Sequence, residues 1–192
     1  MHAVEDIVEA ERIRSGGADK VSGAYGRLAL TQGTLLKEEY DHTTHFFAQG
    51  AVLGALICDT VGLIHLNMQY GFQAVDGVLA AQVRALKELC PRGKVVRIHG
   101  DAFAVVLGPT ADQRVEDVSG VEAALERATR ETLEHAEPIA FTVARLELRV
   151  KDPPNHDVLG PLLWGECERA LVLAKRGGRH VVRRFVDLDA TV

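Results

Sequence analysis

The sequence predicts an α+β domain in which helices lie on a mostly antiparallel β-sheet. Three observations carry the prediction. Lys94 to Leu107, KVVRIHGDAFAVVL, holds two β-rich runs, Val95 to Ile98 and Phe103 to Leu107, joined by a tight His99-Gly100-Asp101-Ala102 link, and reads as a hairpin. Ala51 to Cys58, AVLGALIC, is a continuous apolar run that ends in Asp59, as expected of a central strand covered on both faces. Ala144, Leu146, Leu148 and Val150 alternate with Arg145, Glu147 and Arg149, the pattern of a strand with one wet face. Segments of helical period lie between these runs. The expected order is helix, strand, helix, hairpin, helix, strand, helix, strand, with the hairpin near the centre of the sheet.

Taken in order, residues 3 to 14 place Val4, Ile7, Val8 and Ile13 at near-helical spacing before Ser15-Gly16-Gly17, which predicts a short amphipathic helix. Its narrow apolar stripe packs on the body or pairs with a partner helix. Residues 15 to 33 are glycine-rich and read as an irregular link. Thr34 to Gln49 is a second helix, with Leu36, Tyr40 and Phe47 in period and Gly50 as its stop. His42 and His45 on it have metal-ligand spacing but no third ligand nearby, and read as exposed helix histidines. The stretch around Asn67, Gly71 and Asp76 reads as a turn-rich linkage into a helix from Gly77 to Leu89, whose Leu79, Val83 and Leu86 share a face. Ser119-Gly120-Val121-Glu122 has the pattern of a capping box for a helix through Glu134. A strand over 139 to 150, a helix from Pro161 to Lys175 stopped by Gly177-Gly178, and a strand from His180 to Val186 complete the chain.

A length of 192 residues suits one domain and a short appendage. The division expected is 1–29, helix and link, and 30–192, the main domain. Apolar residues are 47% and charged residues 26% of the chain, the mix of a soluble protein. No apolar run approaches the ~18 residues that cross a bilayer, so no membrane partner is expected. The start MHAVEDIVEAERIR is acidic and lacks the apolar centre of a secretory signal, which places the protein in the cytoplasm. A net charge of -5 without a basic block excludes a duplex nucleic-acid partner. Cys58, Cys90 and Cys167 stand singly, which argues against a zinc knuckle or a disulfide framework and for small buried hydrophobes.

Two carboxylates stand out by position. Asp59 ends a buried strand and Asp101 sits at a hairpin tip, where such folds hold polar site residues. Each alone could simply cap a turn. Around them stand, in this order along the chain, Asn67-Met68-Gln69-Tyr70-Gly71 with Asp76, Arg97-Ile98-His99-Gly100-Asp101-Ala102-Phe103, and Ala174-Lys175-Arg176-Gly177-Gly178-Arg179. In that order these stretches resemble the GGDEF domains, which make cyclic di-GMP from two GTP molecules on a palm-like, nucleotidyl-cyclase and ferredoxin-like sheet. They match N-D-x-x-G-H-x-x-G-D, R-[IL]-G-G-D-E-F and A-K-x-x-G-R, and the likeness covers residues 30 to 186.

The resemblance implies a role for each matched side chain. Asp59 and Asp101 would hold a divalent cation such as Mg2+, present only with a bound nucleotide, and Asp101 would be the catalytic carboxylate if the chain were active. Asn67 and Asp76 would read the guanine edge, and Lys175 and Arg179 would meet phosphate. The chain departs from the family as well. His99 replaces the first glycine of the signature and Ala102 its glutamate; Ile64 takes the place of a phosphate-contacting lysine; Val61 and Phe72 replace an aspartate and a histidine; Cys90-Pro91-Arg92-Gly93 replaces the R-x-x-D inhibitory site. The D-x-L-T-G-L-P-N-R opening is reduced to Leu30-Thr31-Gln32-Gly33. The expectation is a degenerate domain that has lost cyclase chemistry and binds GTP, cyclic di-GMP or a protein partner. An active cyclase is the alternative. Active members pair because each subunit brings one GTP, so a homodimer is left open.

Overall fold

The computed structural model describes residues 18–32, 35–36, 52–107, 118–134, 137–150, 156–177 and 183–188. The helix expected over 3 to 14, most of that over 34 to 49 with His42 and His45, and Arg179 lie outside them. Along the described residues run α1 (Arg27–Thr31), β1 (Val52–Thr60), α2 (Leu63–Tyr70), α3 (Phe72–Leu89), β2 (Lys94–His99), β3 (Ala102–Leu107), α4 (Val118–Thr132), β4 (Phe141–Val150), α5 (His156–Arg176) and β5 (Arg183–Leu188). The strands form one sheet in the order β2-β3-β1-β4-β5. Neighbours are antiparallel except for the parallel β4–β5 pair, so the expected α+β class stands.

The hairpin is not central; β1 is. Its residues are apolar on both faces, which suits the strand with a neighbour on each side and a helical layer above and below. Leu53, Ala55 and Ile57 join Ala104, Val106, Ala144 and Leu146 in a cluster under α1 and α5. Leu56 and Cys58 join Phe103, Val105 and Val143 on the opposite face, under α3 and α4. Truncating one of the fully buried members, as in Leu56→Ala, costs about 2–5 kcal/mol. The hairpin's β2 is an outer strand. Its free edge is met by Tyr25, whose N–H donates to the Val95 carbonyl and whose carbonyl accepts from the Arg97 N–H, both at 2.8 Å.

Three local readings need correction. The stretch before Gly77 is helical: α2 and α3 meet at Gly71, whose φ of +82° lets the chain turn between them. Leu66, Val75 and Val78 bury together there with Leu133, a packing that outweighs the turn-forming residues. The link over 15 to 33 holds an antiparallel bridge, Ala18 to Tyr25, and the short α1. Helix α5 starts at His156, so Pro161 lies inside it rather than in its first turn. Buried Leu159 and Leu163 on either side of the proline hold that turn against the sheet. The three cysteines are free and buried, and burial pushes the Cys167 thiol up to about 12.

Candidate functional site

The period of β1 decides where its last residues point. Leu53, Ala55 and Ile57 face α5, so Asp59 falls on the same side and Thr60 on the other. Asp59 is only 4% exposed. Helix α5 presents buried Ala170, Leu171 and Ala174 to that face, and Lys175 follows. Its Nζ lies 2.8 Å from Oδ2 of Asp59. Oδ1 of Asp59 is buried and has no hydrogen-bond partner. One oxygen of this carboxylate is thus neutralised by an ammonium, and the other is left without a donor.

The turn of the hairpin approaches from the other strand. Gly100, at φ +47°, takes the left-handed conformation that a two-residue connection between β2 and β3 requires. Arg97 holds this turn, donating from Nε at 2.8 Å and from Nη2 at 2.6 Å to the Gly100 carbonyl. Asp101 follows, half-buried. Burial, then the negative charge of Asp59, raises its carboxyl above the usual range, with a hydrogen bond from its own backbone N–H, Lys175 and His99 working in the opposite direction. Asp59, Asp101 and Lys175 therefore share one electrostatic environment. Ala102 is the cross-strand partner of Asp59, fully buried on the α5 face. A methyl group stands directly across from the carboxylate.

The remaining predicted residues divide. Asn67 is half-buried on α2, and its Oδ1 is buried without a hydrogen-bond partner. Asp76 is exposed on α3, the helix that follows Gly71. His99 and Gly100 are exposed at the turn, whereas Phe103 is 1% exposed and belongs to the core under α3 and α4. Among the described residues no group of three or more His, Cys, Asp or Glu side chains could hold a metal ion. The donor set is two carboxylates. The orphaned Oδ1 of Asp59 and the neighbouring Asp101 carboxylate are oxygen donors of the type that suits a divalent cation, which would need its remaining ligands from outside the described residues.

Two features escaped the sequence reading. Asp19 accepts at Oδ1 from Nη1 of Arg97 at 2.8 Å, and from the N–H and hydroxyl of Ser22 at 2.7 and 2.8 Å. Burial alone would raise its carboxyl; Ser22 and Arg97 outweigh it and hold it below the usual range. The Asp-x-x-Ser-Gly spacing of Asp19 to Gly23 was a legible turn signal. The second is a buried relay on the opposite face, in which Thr60 donates to Gln82 at 3.3 Å and Gln82 to Thr129 at 3.1 Å. Nothing in the local pattern marks it.

Around Asn67 the surface is apolar. Ile64, Met68 and Phe72 are 72%, 82% and 75% exposed, with Val61 beside them in sequence. A groove of about 550 Å³ between α3 and α4, lined by Arg84, Glu88, Arg127 and Glu131 over small alanines, contains none of the predicted residues.

A family model described as "Diguanylate cyclase, GGDEF domain" matches residues 18–180. Comparison with the curated proteins gives no match. Among solved structures, the chain is similar to the diguanylate cyclase SiaD from Pseudomonas aeruginosa, solved with its activator SiaC: TM-score 0.62 at 20% identity, covering 96% of this chain and 67% of that one. It is also similar to the coiled coil and GGDEF domain of DgcB from Caulobacter crescentus in complex with c-di-GMP: TM-score 0.62, 18% identity, 95% and 92% covered. A microbial GGDEF domain solved for its interaction with cyclic di-GMP gives 0.56 at 21% identity, with 86% and 95% covered. These likenesses concern the fold. The family match opens at residue 18, and the opening motif is better placed at Asp19-Lys20-Val21-Ser22-Gly23-Ala24-Tyr25-Gly26-Arg27 than at Leu30 to Gly33. Leu30 is a fully buried core residue at the end of α1.

Proposed function

The chain belongs to the GGDEF family of cyclic di-GMP signalling, and from that premise we propose that it is a non-catalytic member that binds a guanine nucleotide, GTP or cyclic di-GMP, as a regulatory protein. One observation carries the reading. Across from Asp59, where the family has a glutamate, stands the buried methyl of Ala102, and the near side of Asp59 is held by the Lys175 ammonium. Phosphoryl chemistry needs cations concentrated at the transferring group, and a site short of one carboxylate holds them less well. Ile64, exposed where the family places a lysine, removes a second charged group.

Binding needs less. In this reading Asn67 and Asp76 meet the guanine edge, Lys175 and Arg179 meet phosphate, and Asp59 with Asp101 takes Mg2+ only when phosphate oxygens complete its shell. The cation, when bound, neutralises phosphate charge. The orphaned amide oxygen of Asn67 supports a ligand there, since a buried acceptor left unmade is costly. Incubation with GTP and Mg2+ or Mn2+ is expected to yield no cyclic di-GMP, while calorimetric titration with GTP or cyclic di-GMP gives saturable heat. Cyclic di-GMP formation abolished by Asp101→Ala would establish the alternative, an active cyclase.

A protein partner is the second reading. It is favoured by the exposed Ile64, Met68 and Phe72, since a solvated helix face ordinarily carries charge, whereas residues 61–75 contain no Asp, Glu, Lys or Arg. Absence of heat with both nucleotides would leave this reading in place of the first.

A further inference from the structure

Lys175 stands where a cation is needed. Its ammonium is 2.8 Å from Oδ2 of Asp59, a carboxylate whose side chain is 5% exposed, while the lysine itself is 46% exposed. A carboxylate so buried is costly without a counter-charge, and among the described residues Lys175 is the cation paired with it. The same lysine is the residue that the nucleotide-binding reading assigns to phosphate. One ammonium cannot serve Asp59 and a phosphate while a divalent cation also occupies Asp59.

We propose that Lys175 is an internal counter-ion that exchanges places with a divalent cation: in the free protein it holds Asp59 and keeps the metal out, and on nucleotide binding it moves to phosphate as the metal enters. This rests on the reading that a guanine nucleotide binds in this cleft. Its consequence is linkage. A metal ion alone has to displace Lys175 from Asp59 and offers the lysine nothing in return. A nucleotide alone draws Lys175 away and leaves Asp59 buried and unpaired beside Asp101. The two together leave every charge partnered, so each raises the affinity for the other by the same factor.

The experiment has two arms. In the first, Mn2+ is titrated into the protein without nucleotide and the free ion is followed by electron paramagnetic resonance. Lys175→Ala, with its fold checked by circular dichroism, is expected to bind Mn2+ roughly tenfold more tightly than the unaltered chain, and the gain is lost in Lys175→Ala with Asp59→Asn. Equal Mn2+ binding by the unaltered chain and Lys175→Ala overturns the proposal. In the second arm GTP is titrated calorimetrically with Mg2+ or with a chelator, and its affinity is expected to fall roughly tenfold without the metal. Equal affinity in the two conditions also overturns the exchange. No GTP binding in either condition defeats the nucleotide reading instead, and the Mn2+ arm still decides whether Lys175 keeps a cation from Asp59.

Discussion

Oδ1 of Asp19 lies 2.8 Å from Nη1 of Arg97, tying the turn before α1 to the hairpin that carries Asp101. The same guanidinium grips the Gly100 carbonyl through Nε and Nη2. Both side chains are mostly buried, at 24% and 19% exposed, so this pair is less screened than a surface ion pair. Asp19→Ala removes the acceptor for Arg97 and for Ser22 together and is expected to cost about 2 kcal/mol in urea denaturation. Arg97→Lys should cost nearly as much as Arg97→Ala, because a single ammonium cannot span Asp19 and the Gly100 carbonyl as the planar fork does. If lysine restored full stability, the fork geometry would be irrelevant.

Asn67 offers a way to separate binding from folding. Its Oδ1 is buried without a partner, so truncation to alanine removes an unsatisfied acceptor along with the amide's packing. Asn67→Ala is therefore expected to leave stability within about 0.5 kcal/mol of the unaltered chain and to weaken GTP binding roughly tenfold. A purely structural asparagine would show the opposite, with stability lost and affinity kept.

These contrasts explain what could be read from the chain alone. The run Ala51 to Cys58 ending in Asp59 announced a buried strand because a strand covered on both faces must be apolar at every position. The hairpin was legible in its β-rich runs and in Gly100, yet its place at the sheet edge was not, since periodicity says nothing of strand order. The helix over Leu63–Tyr70 and the first turn of Phe72–Leu89, ahead of the Gly77 start that was legible, were obscured by Gly62 and Gly71, which bound helices here instead of opening a loop. The Lys175 to Asp59 contact and the burial of Ala102 opposite Asp59 are long-range facts. They follow from the register of β1 with β3 and the packing of α5, which no local pattern encodes.

The buried relay of Thr60, Gln82 and Thr129 should weigh heavily on stability. Gln82 is 1% exposed and holds two hydroxyls from different elements, while Thr129 passes its own proton to the Leu125 carbonyl at 2.8 Å. Gln82→Ala opens a cavity and strips both hydroxyls of a partner, for an expected loss of about 3 kcal/mol. Gln82→Met fills the space without the hydrogen bonds and should lose about half of that. Urea denaturation of the two variants separates packing from hydrogen bonding, and equal losses would mean that packing contributes nothing.

Asp101 makes stability depend on pH in an unusual direction for an aspartate. Burial, and then the charge of Asp59, raises its carboxyl above the usual range, and its own backbone N–H, Lys175 and His99 offset this only in part. In the unfolded chain the group returns to its ordinary value. Between that value and the raised one the folded state binds more protons than the unfolded state, so this contribution to stability falls as pH rises through the window. Above the window the carboxylate is charged in both states and the whole penalty is present; below it the penalty is gone. Asp101→Asn removes the charge and should be more stable than the unaltered chain at neutral pH, with the difference shrinking to nothing as the solution is acidified below the ordinary carboxylate range. Urea denaturation of both proteins across that range checks the sign. A gap that widened toward acid would mean that Asp101 is stabilised as the anion in the fold, against the burial and the Asp59 charge described here.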